Sequence, residues 1–241
     1  MAITIKTGEH IEKMRIAGRI LADLDEILRA EIRPGITTLE LDKIAEEYIL
    51  SRNAVPSFKG YGGFPASICI SVNDEIVHGI PSGRILREGD IISIDMGAYI
   101  GGFHGDAART YGVGEITEEN RRLIEVTKAS FFEGIKFAKS GCHLHEIGAA
   151  IQDYVESHGF SVVRDYVGHG IGRRLHEDPA VPNYRQAGRG PRLQKGMVLA
   201  IEPMVNAGTY QLEVLNDGWT AVTKDGRNSA HYENTVLITD G

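Results

Sequence analysis

Along the chain, apolar residues recur first with helical spacing and then with the alternation of strands, and this change of period happens twice. After Thr7, the residues Met14, Ala17, Ile20, Leu21, Leu24, Ile27 and Leu28 repeat at i, i+3, i+4 until Pro34-Gly35, which predicts an amphipathic helix capped by Thr7. Thr37-Thr38-Leu39-Glu40 has the form of a capping box and opens a second helix, with Leu41, Ile44, Ala45, Tyr48 and Ile49 on one face. From Val55 the pattern shortens to β-rich runs, Ala66 to Val72 and Ile91 to Met96, between turn-rich stretches. The order then recurs: a helix from about Thr117 to Ala138, a break at Gly141, a helix over Leu144, Ile147, Ile151, Tyr154 and Val155, and strands again.

A local match sharpens the repetition. Leu86-x-x-Gly89-Asp-Ile-Ile-Ser-Ile94-Asp95 aligns with Leu193-x-x-Gly196-Met-Val-Leu-Ala-Ile201-Glu202 at a constant offset of 107, and Gly35 and Gly141 differ by 106. An internal duplication follows, giving a single domain over 1–241 with repeats of about 1–112 and 113–241. The expected fold is α+β and pseudo-twofold. Strands of both halves form a central antiparallel sheet, two helix pairs cover its outer face, and the site lies in the cleft between the halves.

Composition removes several alternatives. With 42% hydrophobic and 24% charged residues the chain is neither disordered nor fibrous. Lys and Arg total 26 against 33 Asp and Glu, a net charge of −7, which argues against dedicated nucleic-acid binding. Cys69 and Cys142 are the only cysteines, too few for a disulfide framework or a cysteine metal cluster, so a reducing compartment fits. The first residues lack the basic and apolar regions of a signal peptide, and no 18-residue apolar run occurs. The expectation is a cytoplasmic monomer with no membrane partner.

The chemistry-bearing residues are acids in apolar surroundings. Asp95 and Asp106 flank a glycine-rich turn, and a turn at Ile100-Gly101 would pair them directly across two strands. Like charges so placed repel unless a cation lies between them. Glu202 takes the Asp95 position of the second repeat within the apolar run Val198 to Met204, where a buried carboxylate must be paired or metal-bound. Glu233, at the start of the strand-like run Tyr232 to Thr239, is the counterpart of Asp106. Four carboxylates and one histidine suit a two-metal site with ions roughly 3.5 to 4 Å apart. Histidines occur in two His-Gly-Ile tripeptides, at His78 and His169, and again at His176. His104 and His231 each precede a metal-site acid by two residues on the same strand face, and are expected to support those acids rather than bind an ion. No H-E-x-x-H helix, G-x-S-x-G elbow, Rossmann fingerprint or Walker A loop is present.

Together, Val72-Asn-Asp-Glu-Ile-Val-His78-Gly-Ile-Pro81, the Asp95-x10-Asp106 hairpin, Gly168-His-Gly-Ile-Gly-x-x-x-His176-Glu, Ile201-Glu-Pro-Met204 and Glu233-Asn-Thr resemble the type I methionine aminopeptidases, over essentially the whole chain. The resemblance implies the pita-bread fold and removal of the initiator methionine from nascent polypeptides when the second residue is small. It assigns one divalent ion to Asp106, His169, Glu202 and Glu233 and the other to Asp95, Asp106 and Glu233, the metal being Mn, Fe, Co, Ni or Zn. A metal-held hydroxide then attacks the first peptide carbonyl, Glu202 carries the proton, His176 bonds the carbonyl oxygen, and His78 contacts the amide nitrogen. The methionine pocket is implied at Phe58, Tyr61, Phe64, Cys69 and Trp219, although Phe58 and Leu175 depart from common family choices. Asn73, Glu75 and Ser229 match positions whose backbone carbonyls hold a monovalent cation, Na or K. The basic run Arg185, Arg189, Arg192 and Lys195 is either a solvated loop or a weak docking patch for the ribosome. Two other readings compete: a proline dipeptidase, which the aromatic pocket disfavours, and a metal-free binding protein, which the intact ligand set disfavours.

Overall fold

In the computed structural model, which describes residues 3–240, the helices begin where the caps lie. α1 (Gly8–Glu31) starts at Thr7, whose side chain accepts the His10 N–H, and α2 (Thr38–Ser51) starts at Thr37, which exchanges bonds with Glu40. α3 (Glu118–Ile135) starts at Thr117 and ends before the expected Ala138. α4 (Leu144–Ser157) follows Gly141, whose φ of +93° breaks the chain direction, and the His143 N–H is satisfied by the Glu146 carboxylate at 2.6 Å.

The helical stripes bury as spaced. On α1, Met14, Ala17, Ile20, Leu21, Leu24 and Leu28 are buried, with Ile27 half-buried. Each buried leucine contributes about 1.5–3 kcal/mol. α1 and α2 pack on Ile68, Ile70, Val72, Ile92, Ile94 and Met96, while α3 and α4 pack on Leu199, Ile201 and Val205. Each helix pair thus covers strands that follow it in sequence, and Asp95, alternating with Ile94 and Met96, points away from the helices.

Among the described residues, the strands pair antiparallel throughout, and an isolated bridge between Lys139 and Thr239 is parallel. Ile91–Ile100 lies between Phe103–Gly112 on one side and Ile68–Val72 with Val55–Pro56 on the other. Val198–Ile201 lies between Asn234–Leu237 and Gly168–Gly170, beyond which comes Glu177–Val181. Two three-stranded sheets complete the set: Met204–Asn206 between Ser229–His231 and Ser161–Val162, and Ala221–Thr223 between Leu212–Val214 and Glu75–Val77.

The two larger sheets meet along 106–110 and 231–235. Ala108 and Glu233 exchange backbone bonds of 3.3 and 3.0 Å. On either side a threonine hydroxyl, able to donate and accept at once, stands in for the ladder. The Thr235 hydroxyl bonds both backbone groups of Asp106, and the Thr110 hydroxyl bonds both backbone groups of His231.

The hairpin register differs from the expected one. The turn is Gly101-Gly102, with φ of +61° and +88°, and Ile100 pairs with Phe103. A two-residue turn of this kind needs positive φ at both positions, which glycine accepts and the β-branched Ile100 resists. Asp95 therefore pairs with Ala108 and Asp106 with Gly97. The two acids are diagonal neighbours on one face rather than directly opposed, still within reach of one ion.

Three of the four cations of the basic loop meet an acid. Arg185 forms a two-pronged pair with Asp153 at 2.7 and 2.8 Å, Arg189 lies 3.7 Å from Glu146, Lys195 pairs with Asp240, and Arg192 donates to the Gly141 carbonyl at 3.1 Å. Among the described residues, no helix is long and apolar enough to cross a membrane.

Candidate metal centre

The four acids converge although they come from distant strands. Asp95 and Asp106 lie on the two arms of the first hairpin, Glu202 follows Val198–Ile201, and Glu233 precedes Asn234–Leu237. All line one cavity of about 190 Å³ together with His78, His169, His176 and His231. Asp106 and Glu233 are 5% and 2% exposed. Donor atoms of Asp106, His169 and Glu233 lie within 4.8 Å of one another, as do those of Glu202, His231 and Glu233.

Burial, reinforced by the neighbouring acids, pushes the Asp106, Glu202 and Glu233 carboxyls well above the carboxylate range. Burial likewise raises Asp95 to about 7. Oxygens of Asp95, Asp106 and Glu233 are sealed from solvent without a hydrogen-bond partner. The ion-pair contacts of Asp106, Glu202 and Glu233 run to histidine, at 3.6 to 3.9 Å. Burial is also the main cause that lowers the pKa of His169 to about 4 and of His231 to about 3, so neither supplies positive charge near neutrality. Buried acids with unmatched oxygens beside neutral imidazoles are a donor set that a divalent cation satisfies.

Local sequence explains the histidine placement. Gly168–Gly170 is clamped between two strands, and a Cβ on Gly168 would come within 2.3 Å of the Ala200 carbonyl oxygen. Glycine on both sides is what lets His169 sit in the middle of the sheet. Its Nδ1 donates to the Gly170 carbonyl at 2.9 Å, which leaves Nε2 free for an ion. His78 holds φ of +60°, and a Cβ on Gly79 would collide with the Ile70 carbonyl at 2.1 Å. That constrained turn aims His78 into the cavity. His176 stacks near His169, ring centres 4.2 Å apart, and its Nδ1 meets the Tyr61 hydroxyl at 2.7 Å. The adjoining Glu177 is held by Lys6, buried beside it at 2.8 Å.

Phe58, Tyr61, Phe64, Cys69 and Trp219 line the same cavity beside the acids. Phe64 and Trp219 meet edge to face at 5.2 Å. Gly97 makes room for Phe58, since a Cβ there would fall 2.7 Å from its ring. Burial keeps the Cys69 sulfur protonated. Leu175 adds a buried wall. Tyr166, whose ring meets His78 edge-on at 5.1 Å, also lines the cavity and was not anticipated from sequence. Its position two residues before Gly168 was the only signal.

Other candidates stand apart from the cavity lining. His104 bonds Ser57 at 2.9 Å and stacks on Tyr99. Asn73 holds φ of +61°, and its carbonyl accepts the Ser229 N–H at 2.9 Å. The Glu75 carboxylate takes the Val72 N–H at 2.8 Å and pairs with Arg84.

Residues 12–240 match metallopeptidase family M24. The methionine aminopeptidase of Clostridium acetobutylicum is 58% identical over 239 residues, covering 99% of this chain and 96% of that protein. The methionine aminopeptidase of Escherichia coli K12 is 47% identical over 242 residues, covering 100% of this chain and 92% of that one. The crystal structure of the Thermotoga maritima methionine aminopeptidase superposes with a TM-score of 0.98 at 48% identity, covering 100% of this chain and 97% of that one. With its fold, its buried acids and its full-length relatives in agreement, the chain belongs to the methionine aminopeptidases of metallopeptidase family M24.

Proposed function

We propose that the protein removes N-terminal methionine from polypeptides whose second residue is small, using two divalent ions. The observation that carries this reading is the junction of four acids, Asp106 and Glu233 buried and Asp95 and Glu202 half-buried, with an aromatic and aliphatic pocket. Asp106, His169, Glu202 and Glu233 would hold one ion, and Asp95, Asp106 and Glu233 the other. When bound, such ions acidify water and polarise a carbonyl.

The chain's own residues then direct the reaction. Phe58, Phe64, Cys69 and Trp219 take the methionine side chain, whose thioether packs on aromatic edges. Glu202 receives the proton of the attacking water and returns it to the departing amine. The Tyr61 hydroxyl donates to His176 Nδ1, which leaves Nε2–H to donate to the scissile carbonyl oxygen as negative charge develops there. His78 approaches the scissile nitrogen and steadies the leaving amine. A sodium or potassium ion on the backbone carbonyls of Asn73, Glu75 and Ser229 rests on the resemblance alone. Nascent chains are the substrate class this reading implies. Ribosome docking through Arg185, Arg189, Arg192 and Lys195 has little support, because each cation already has a partner.

Replacing Glu202 by Gln keeps shape and removes the proton carrier. Release of methionine from a Met-Ala-Ser peptide should fall by about 100-fold or more with unchanged circular dichroism. Undiminished turnover would remove Glu202 from this role.

A further inference from the structure

We infer that Lys6 is a positioning residue for His176: its buried ion pair with Glu177 ties the segment 3–6 to the loop that carries His176 and sets where that ring stands in the cavity. This rests on the role given to His176 above.

The pair joins residues 171 positions apart. Lys6 is 7% and Glu177 9% exposed. A cation placed so deeply requires an anion at hand, and Lys6 Nζ meets Glu177 Oε2 at 2.8 Å. Both oxygens of that carboxylate are engaged. Oε2 also accepts the Thr4 hydroxyl at 2.6 Å, and Oε1 accepts the Arg174 N–H at 3.2 Å, which closes the turn 174–177 around His176. Lys6 Nζ donates to the Thr4 hydroxyl as well, and the Lys6 N–H donates to the Gly196 carbonyl at 2.8 Å. The segment is thus fastened by backbone and side chain together.

Neighbouring residues of an extended chain send their side chains to opposite sides. Glu177 opens the strand Glu177–Val181 and turns toward Lys6, whereas His176, one residue earlier, lines the cavity. Fixing the carboxylate on one side therefore fixes the ring on the other. The Tyr61 hydroxyl also meets His176 Nδ1, at 2.7 Å, but Tyr61 is 47% exposed, so that hold is open to water where the Lys6 hold is sealed.

Gly172, the last glycine of Gly168-His-Gly-Ile-Gly172, gives independent support. A Cβ there would fall 2.6 Å from Lys6 Cε and 2.8 Å from Glu177 Oε1. The ion pair occupies the space that a side chain at 172 would take, and packs directly on the loop backbone. Desolvating two charges offsets much of their attraction, so a buried pair adds little net stability over an apolar pair of the same size. What this pair adds is direction, holding a ring that acts on substrate.

The test is a kinetic cycle with Met-Ala-Ser on the full chain loaded anaerobically with Co2+, joined to nitrogen NMR of the histidine rings in chelator-treated protein. Lys6→Met keeps the stem and removes the charge. It should lower kcat roughly tenfold with KM little changed, and shift the His176 ring resonances while those of His169 stay in place. In a His176→Ala background it should lower kcat no further, because Lys6 acts through that ring. Equal losses in the two backgrounds, or wild-type kcat in Lys6→Met, would overturn the inference and leave His176 in its role. Full turnover by His176→Ala would instead remove that role. Where Lys6→Met does not fold, Lys6→Met combined with Glu177→Gln removes the pair without stranding a buried charge, and the same cycle decides.

Discussion

The Thr235 hydroxyl holds both backbone groups of Asp106, accepting its N–H at 2.9 Å and donating to its carbonyl at 3.0 Å. A residue beside Glu233 in the second half of the chain thus positions an acid of the first half. The acid cluster is assembled across this seam, and its geometry depends on side-chain bonds as much as on backbone pairing.

Replacing Thr235 by Val keeps the shape and removes both bonds. The loss of stability should be about 1–3 kcal/mol, read from denaturant midpoints. Affinity for Co2+ should fall as well, while Thr235→Ser should retain most of both properties. Native-like cobalt affinity in Thr235→Val would show that the seam does not set the ligand geometry.

Gly168→Ala places a methyl 2.3 Å from the Ala200 carbonyl oxygen, a backbone atom that cannot swing aside. The strand bearing His169 must then shift, and both thermal stability and metal affinity should drop. Gly18, inside α1, is the control, because a methyl added there meets no atom within 4 Å. Gly18→Ala should stabilise by roughly 0.5–1 kcal/mol through helix propensity. Equal melting temperatures for the two variants would contradict the steric explanation of the Gly-His-Gly motif.

Stability without metal should fall as pH rises. Asp95 has a carboxyl raised from 3.8 to about 7 in the fold, mainly by burial. Between these values the folded chain keeps a proton that the unfolded chain has lost, so stabilisation present below pH 3.8 disappears through about pH 7. The raised Asp106, Glu202 and Glu233 carboxyls act in the same direction. Thermal melts of chelator-treated protein should show this decline relative to an Asp95→Asn variant, and divalent ion should remove it by binding the ionised fold. Identical pH profiles for wild type and Asp95→Asn would argue against the acid cluster as its source.

What was legible in the sequence was local or governed by burial. Thr7, Thr37 and Thr117 announce helices because a cap acts within one turn of the chain. Asp95, Glu202 and Glu233 stood out because each interrupts or adjoins an apolar run. The hairpin register was misplaced by one turn position because the φ demand of both central residues decides it, and Gly101-Gly102 met that demand better than Ile100-Gly101. Tyr166, the Thr110 and Thr235 hydroxyl bridges, and the approach of His231 to Glu202 were hidden because they exist only once the halves meet. The basic loop looked unpaired because Asp153, Glu146 and Asp240 lie far from it in sequence.

The most direct measurement is release of free methionine from Met-Ala-Ser by chelator-treated protein, before and after anaerobic titration with Mn2+ or Co2+. Release should be absent at first and rise with the ion until the centre is filled. Full release without any divalent ion, or none with every ion while the protein stays folded, would contradict a metal-dependent methionine aminopeptidase.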